Sequence, residues 1–172
     1  LDRDTTGLII YAKGKKIFQL MAEQFRLRRV KKQYIALVHG RLNERSGTIK
    51  NFIADVPIGG RPAIQKSGWH NRHIRKTAIT KYAVLKEKEN YSVVEARPIT
   101  GRTNQIRIHF QQLGHPLLGE RKYCFARDFP LKFKRVALHA AHLEFTHPLS
   151  NKTISLTADL PADMNDFVSN DK

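Results

Sequence analysis

The chain has 172 residues, 41% of them hydrophobic, and a formal net charge of +16. This length supports one domain with a real core. The single cysteine, Cys124, excludes an internal disulfide framework, and no apolar run reaches the ~20 residues of a membrane-spanning helix.

The N-terminal stretch Leu1-Asp2-Arg3-Asp4-Thr5-Thr6-Gly7 is a polar turn carrying two carboxylates. It feeds Leu8–Ala12, whose composition predicts a strand. Ile17, Leu20, Met21, Phe25 and Leu27 recur at helical spacing and predict an amphipathic helix from Lys16 to Arg28 with a basic outer face. Strands are predicted at Tyr34–Val38 and Thr48–Ile53. The segment from Asp55 to Arg75, with its prolines, glycines, Trp69, His70 and His73, reads as a long exposed loop. There Trp69 either stacks on a base or covers the sheet edge. Thr77–Leu85 and Tyr91–Ala96 form a hairpin pattern ended by Pro98. A helix capped by Thr103 is expected to run to Gly114. Glu120–Lys134 is an irregular basic connection. Val136–Phe145 and Thr153–Leu156 pair as a last hairpin, and Asp163–Val168 is a weak helix. Strands and helices without a βαβ rhythm imply an α+β fold, a mixed, mainly antiparallel sheet flanked by helices.

The positive charge is clustered. Lys13 to Lys32 holds eight cations against one acid, Glu23, and Val56 to Lys86 holds no acid at all. Such clustering suits a polyanion, the alternative being a solvated basic face. No segment pairs a broad apolar face with a basic one, which argues against a membrane partner.

A carboxylate in a basic cleft stays ionised and can serve as nucleophile or base, so Asp2 and Asp4 are candidates; capping a turn is the plainer role. In an extended segment the two would point the same way and could share Mg²⁺, as in a nuclease. The eight histidines show no zinc spacing: His139 and His142 fall on opposite faces of a predicted strand, and His70 and His73 lack acidic neighbours. Neither a nucleophile elbow nor a Gly-rich phosphate loop is present. In Arg97–His109 a Gly-containing turn opens a helix bearing Arg102 and Arg107. An arginine within an apolar helical stretch needs an anionic partner, either a structural carboxylate or a ligand.

Leu1–Gly7 resembles the catalytic-aspartate motif of the RluA-type pseudouridine synthases. Lys32–Gly40, Arg97–His109, Gly114–Gly119 and Leu138–Pro148 resemble further segments of that family in the same order. The spacing is most similar to the branch that modifies large-subunit ribosomal RNA. The resemblance implies a catalytic domain over residues 1–172 whose upstream strand, and any RNA-binding module, precede Leu1. It implies isomerisation of uridine to pseudouridine in 23S rRNA in the cytoplasm, by a monomer with neither metal nor organic cofactor. Asp2 would be the catalytic carboxylate, Arg107 its partner, Tyr34 the residue stacked on the base, and Arg102 a pocket residue. Lys15, Lys16, Arg28, Arg29, Arg72, Arg75 and Lys76 would contact RNA. Asn104, Glu120 and Cys124 stand where the family usually has His, Asp and Gly. Asn104 is expected to matter little, and the other two to affect only the local turn. The alternatives are a non-catalytic RNA-binding module and a two-carboxylate metal nuclease.

Overall fold

The run Tyr34–Val38 is apolar at five successive positions, so the sheet it joins must be covered on both faces. The structure, a computed structural model, describes residues 1–54, 75–124 and 129–170. Its elements are β1 (Thr6–Gly7), α1 (Lys15–Arg26), β2 (Lys31–His39), β3 (Ser46–Ala54), β4 (Arg75–Glu87), β5 (Tyr91–Pro98), α2 (Gln105–Gln112), β6 (Leu138–Thr146), β7 (Thr153–Thr157) and α3 (Ala162–Asn170). The strands form one sheet in the order β1-β6-β2-β5-β4-β3, with β7 also on β6. Every pairing is antiparallel except β1 with β6. This is the mixed α+β architecture expected from the sequence.

Alternation sorts the two cores. Ala36 and Val38 of β2 and Val94 and Ala96 of β5 face Ile106 and Phe110 of α2. The intervening Leu37, Tyr91 and Val93 face Met164, Phe167 and Val168 of α3. Tyr34 shares the α2 face and packs against that core.

Three expectations need correction. Leu8–Ala12 forms no strand: after Leu8 N–H donates to Ala140 O, the edge of β6 passes to β7, where His142 pairs with Thr157. With no edge left to pair, Ile9 and Tyr11 are exposed. Helix α1 forms, but among the described residues it buries only Met21 and leaves Phe18 and Phe25 exposed. It is tied to the sheet instead by Gln24, whose amide bonds both the carbonyl and the N–H of Thr146 at 2.7 and 3.1 Å. Thr103 does not cap α2. Asn104 holds that position in the left-handed region, φ 54°, and makes no side-chain cap bond. The expectations for Trp69, His70, Arg72 and His73 lie outside the described residues.

His39 and His109 are buried, each with Nδ1 lacking a hydrogen-bond partner. The ring of His39 stacks on Phe129, and His109 Nε2 donates to Asn51 Oδ1. Burial pushes each down to about 4, with Lys132 adding repulsion at His39. A histidine held neutral in the fold binds fewer protons than in the unfolded chain once the pH falls below its ordinary value. Stability is therefore expected to fall as the pH drops from about 6.5 towards 4. Urea midpoints measured across that range check this, and His109→Gln should flatten the dependence.

Candidate active site

The turn bearing Asp2 is fixed before any ligand arrives. Thr5 N–H donates to Asp2 O at 3.0 Å, closing the turn. His139 Nε2–H donates to Ala158 O, which leaves Nδ1 to accept from the Thr6 hydroxyl at 2.9 Å. Gly7 has φ +107°, and a Cβ there would lie 2.3 Å from Ala140 O. Only glycine permits that approach. From behind, Arg135 pairs with Asp163 through two 2.8 Å bonds and donates to Asp4 O at 3.4 Å.

The start of α2 is equally constrained. Gln105 Oε1 accepts from the Thr100 hydroxyl and Arg102 N–H, while its amide nitrogen donates to Ile79 O and Thr80 Oγ1. This hub pins the helix to β4. Two residues on, Arg107 points to the same end of the sheet as Asp2. Its Nη1 lies 3.5 Å from Asp2 Oδ2, with side-chain exposures of 10% and 23%. Residues distant in the chain thus meet, as the motifs required.

Asp2 is not the main partner of Arg107. Arg107 Nε and Nη2 donate to the two oxygens of Glu120 at 2.7 and 2.8 Å. The Glu120 side chain is fully buried and also accepts from Lys122 N–H and Tyr123 N–H. Arg107 Nη1 donates to Asn104 Oδ1, and Asn104 Nδ2 donates to Tyr123 Oη. Burial opposes both charges, but the Glu120 hydrogen bonds and charge, with Asp2 adding to them, hold the Arg107 pKa above its usual value. Burial likewise disfavours ionised Glu120, yet Arg107 and the two backbone N–H groups hold its pKa below the usual range. Residues expected to affect only a turn, or little at all, instead complete the support beneath Asp2. The motifs marked Glu120 only as a variant residue of a turn; its role is that of the acid a buried arginine demands.

Asp2, with Asn104, forms the ridge between two openings, and Arg107 faces the second. The first cleft, about 370 Å³, is lined by Asp2, Thr5, Lys32, Tyr34, Arg102 and the Gly101 turn, among others. Burial and then the Asp2 charge push the Tyr34 phenol pKa up, keeping it neutral. Arg102 Nε donates to Thr77 O, which holds its side chain along the wall. The second cleft, about 650 Å³, shares Asp2 and Asn104 with the first, adds Arg107, and is rimmed by Arg3, Arg121, Lys122 and Lys134. The sequence shows Glu120–Lys134 as a basic connection, but not its junction with Arg3, more than a hundred positions away.

Of the other expected cationic contacts, Lys15, Lys16, Arg28 and Arg29 are exposed at the two ends of α1, and Lys76 is exposed on β4. Arg75 opens β4, its side chain outside the description, and Arg72 lies outside the described residues. The shared-metal alternative assumed an extended segment. Residues 2–5 instead turn, and Asp2 faces Arg107 while Asp4 lies 3.4 Å from Arg3. Among the described residues no group of three or more His, Cys, Asp or Glu could hold a metal, and no helix is long and apolar enough to cross a membrane.

Comparison with known proteins identifies the family. The RNA pseudouridylate synthase family model matches residues 1–112. An uncharacterized RNA pseudouridine synthase of Bacillus subtilis, YlyB, is 35% identical over 170 residues, covering 99% of this chain and 54% of that protein. The ribosomal large subunit pseudouridine synthase D of Blochmanniella floridana is 33% identical over 177 residues, covering 95% of this chain and 53% of that protein. The chain thus spans about half the length of the curated relatives it matches. The structure of human RNA Pseudouridylate Synthase Domain Containing 1 superposes with a TM-score of 0.74 at 28% identity, over 99% of this chain and 77% of that one. The matched residues include Asp2, Tyr34 and Arg107, the side chains that fold together at the ridge, and the chain belongs to the RNA pseudouridylate synthase family.

Proposed function

We propose that this chain isomerises uridine to pseudouridine in RNA, acting on large-subunit ribosomal RNA. The observation that carries the reading is the Asp2 carboxylate, 3.5 Å from Arg107, on a ridge between a cleft with an aromatic wall and a cleft rimmed by cations. The reaction breaks the bond between C1′ and N1 and forms one between C1′ and C5. A proton leaves C5 and one is gained at N1, so atoms and charge balance without a redox step. A target uridine must be extruded, at a cost of a few kcal/mol, roughly. Contacts from Arg3, Arg121, Lys122 and Lys134, with Lys15, Lys16, Arg28, Arg29, Arg72, Arg75 and Lys76, offset that cost through phosphates and carry little sequence information. Tyr34 stacks on the base and holds it while it turns. Asp2 acts at the sugar, with the Arg107 guanidinium beside its carboxylate. One chain supplies every residue invoked, which supports a monomer, and the chemistry calls on no cofactor; the same reading places the protein in the cytoplasm.

The test is to incubate the protein at full length with a large-subunit rRNA transcript, in EDTA and in parallel with Mg²⁺, and to map pseudouridines and strand breaks. Pseudouridine at discrete positions is expected. RNA binding without pseudouridine in any uridine-containing RNA would mark a non-catalytic RNA-binding module. Strand scission that requires Mg²⁺ would mark a nuclease.

A further inference from the structure

Adjacent lysines on β2 have opposite circumstances. Lys31 pairs with Glu144 at 2.7 Å. Lys32, half-buried, has no described carboxylate within 4.0 Å. It stands two residues before Tyr34, so both side chains leave the same face of the strand, and both line the first cleft with Asp2. Its position is defined: a Cβ on Gly101 would lie 3.5 Å from Lys32 Nζ, and the Phe25 ring centroid is 5.9 Å away. Burial pulls its pKa below the ordinary lysine value. A cation drawn partly out of water without a counter-ion is costly, and a site that keeps one is built to receive negative charge.

Two sources of that charge are at hand: an RNA phosphate, or the base itself. The aromatic neighbour and the half-buried setting favour the base, since the exposed cations rimming the second cleft are better placed for phosphates. We propose that Lys32 is a catalytic residue whose ammonium bonds a carbonyl oxygen of the target uracil and stabilises the negative charge on the departing base. This rests on the isomerase reading above. When C1′–N1 breaks, the electron pair leaves with the base and spreads onto its carbonyl oxygens. When C5 bonds to C1′, that charge is consumed, and the C5 proton is exchanged for one at N1. Lys32 keeps its own proton throughout. A fixed donor aimed at developing charge is worth about 10²–10³-fold in rate.

The test compares Lys32→Met and Lys32→Arg with wild type, in single-turnover rate and in RNA affinity across a salt series. Urea midpoints serve as the folding control. Lys32→Met should lower the rate about 10²–10³-fold while affinity and its salt dependence stay unchanged, and Lys32→Arg should recover much of the rate. Weaker binding with a salt slope shallower by ~0.7 and an unchanged rate would make Lys32 a phosphate contact and overturn the proposal. No change in either would also overturn it. A wild-type protein that forms no pseudouridine would instead refute the isomerase reading, and the proposal with it.

Discussion

Asp2→Asn is expected to abolish pseudouridine formation, with a loss of at least ~10³-fold, while RNA affinity stays within about twofold. The substitution keeps the shape of the side chain and removes only its charge. Neither nucleophilic attack nor abstraction of a sugar proton survives that change, so the prediction holds for either role of Asp2. The fold should hardly notice. Arg107 retains its bidentate pair with Glu120 and its bond to Asn104, so no cation is stranded. The lost contact is the long one, 3.5 Å, with a partly exposed acid, and such pairs contribute ~1 kcal/mol or less. Removing a negative charge from between cationic clefts should, if anything, tighten RNA. Single-turnover assays beside equilibrium binding decide it. A variant that keeps turning over would remove Asp2 from the chemistry.

Arg107→Ala should be the most destabilising single change at the site, about 3–5 kcal/mol. It leaves the fully buried Glu120 carboxylate without its cation. Glu120 contributes stability above the ordinary glutamate value, and loses it as the pH falls through its depressed folded value, because the unfolded chain then binds more protons. Reduced turnover in Arg107→Ala would therefore confuse two effects. The double variant Arg107→Met, Glu120→Leu separates them, because removing both charges strands neither. Its loss should be smaller than the sum of the single losses by about 1–3 kcal/mol, the coupling of residues in direct contact. Urea unfolding of wild type, Arg107→Met, Glu120→Leu and the double variant measures this. If the double variant regains stability but not turnover, Arg107 serves Asp2 as well as the fold. Recovered turnover would reduce it to a structural pair.

Much was written in the sequence. The consecutive apolar residues of Tyr34–Val38 required a sheet covered on both faces, and the structure covers it with α2 and α3. The hairpins at β4–β5 and β6–β7 followed from short turns between β-prone runs. Asp2 and Arg107 were paired by the motifs, and they meet. These features are local patterns or ordered motifs, and local patterns survive any tertiary arrangement.

Other features depended on which segments became neighbours. Leu8–Ala12 has the composition of a strand but no edge to join, because β7 occupies β6. Thr103 has the chemistry of a cap, but Gln105 fixes the helix start and Asn104 takes the capping position to reach Arg107. Glu120, Lys32 and the cations of the second cleft acquire their meaning only in space. A charge is costly or useful according to what surrounds it, and those surroundings come from residues far along the chain. Sequence determined which elements form and which carboxylate and arginine belong together; tertiary structure decided which charges are buried, paired or left open to a ligand, because solvation and Coulomb energy depend on distance in space rather than along the backbone.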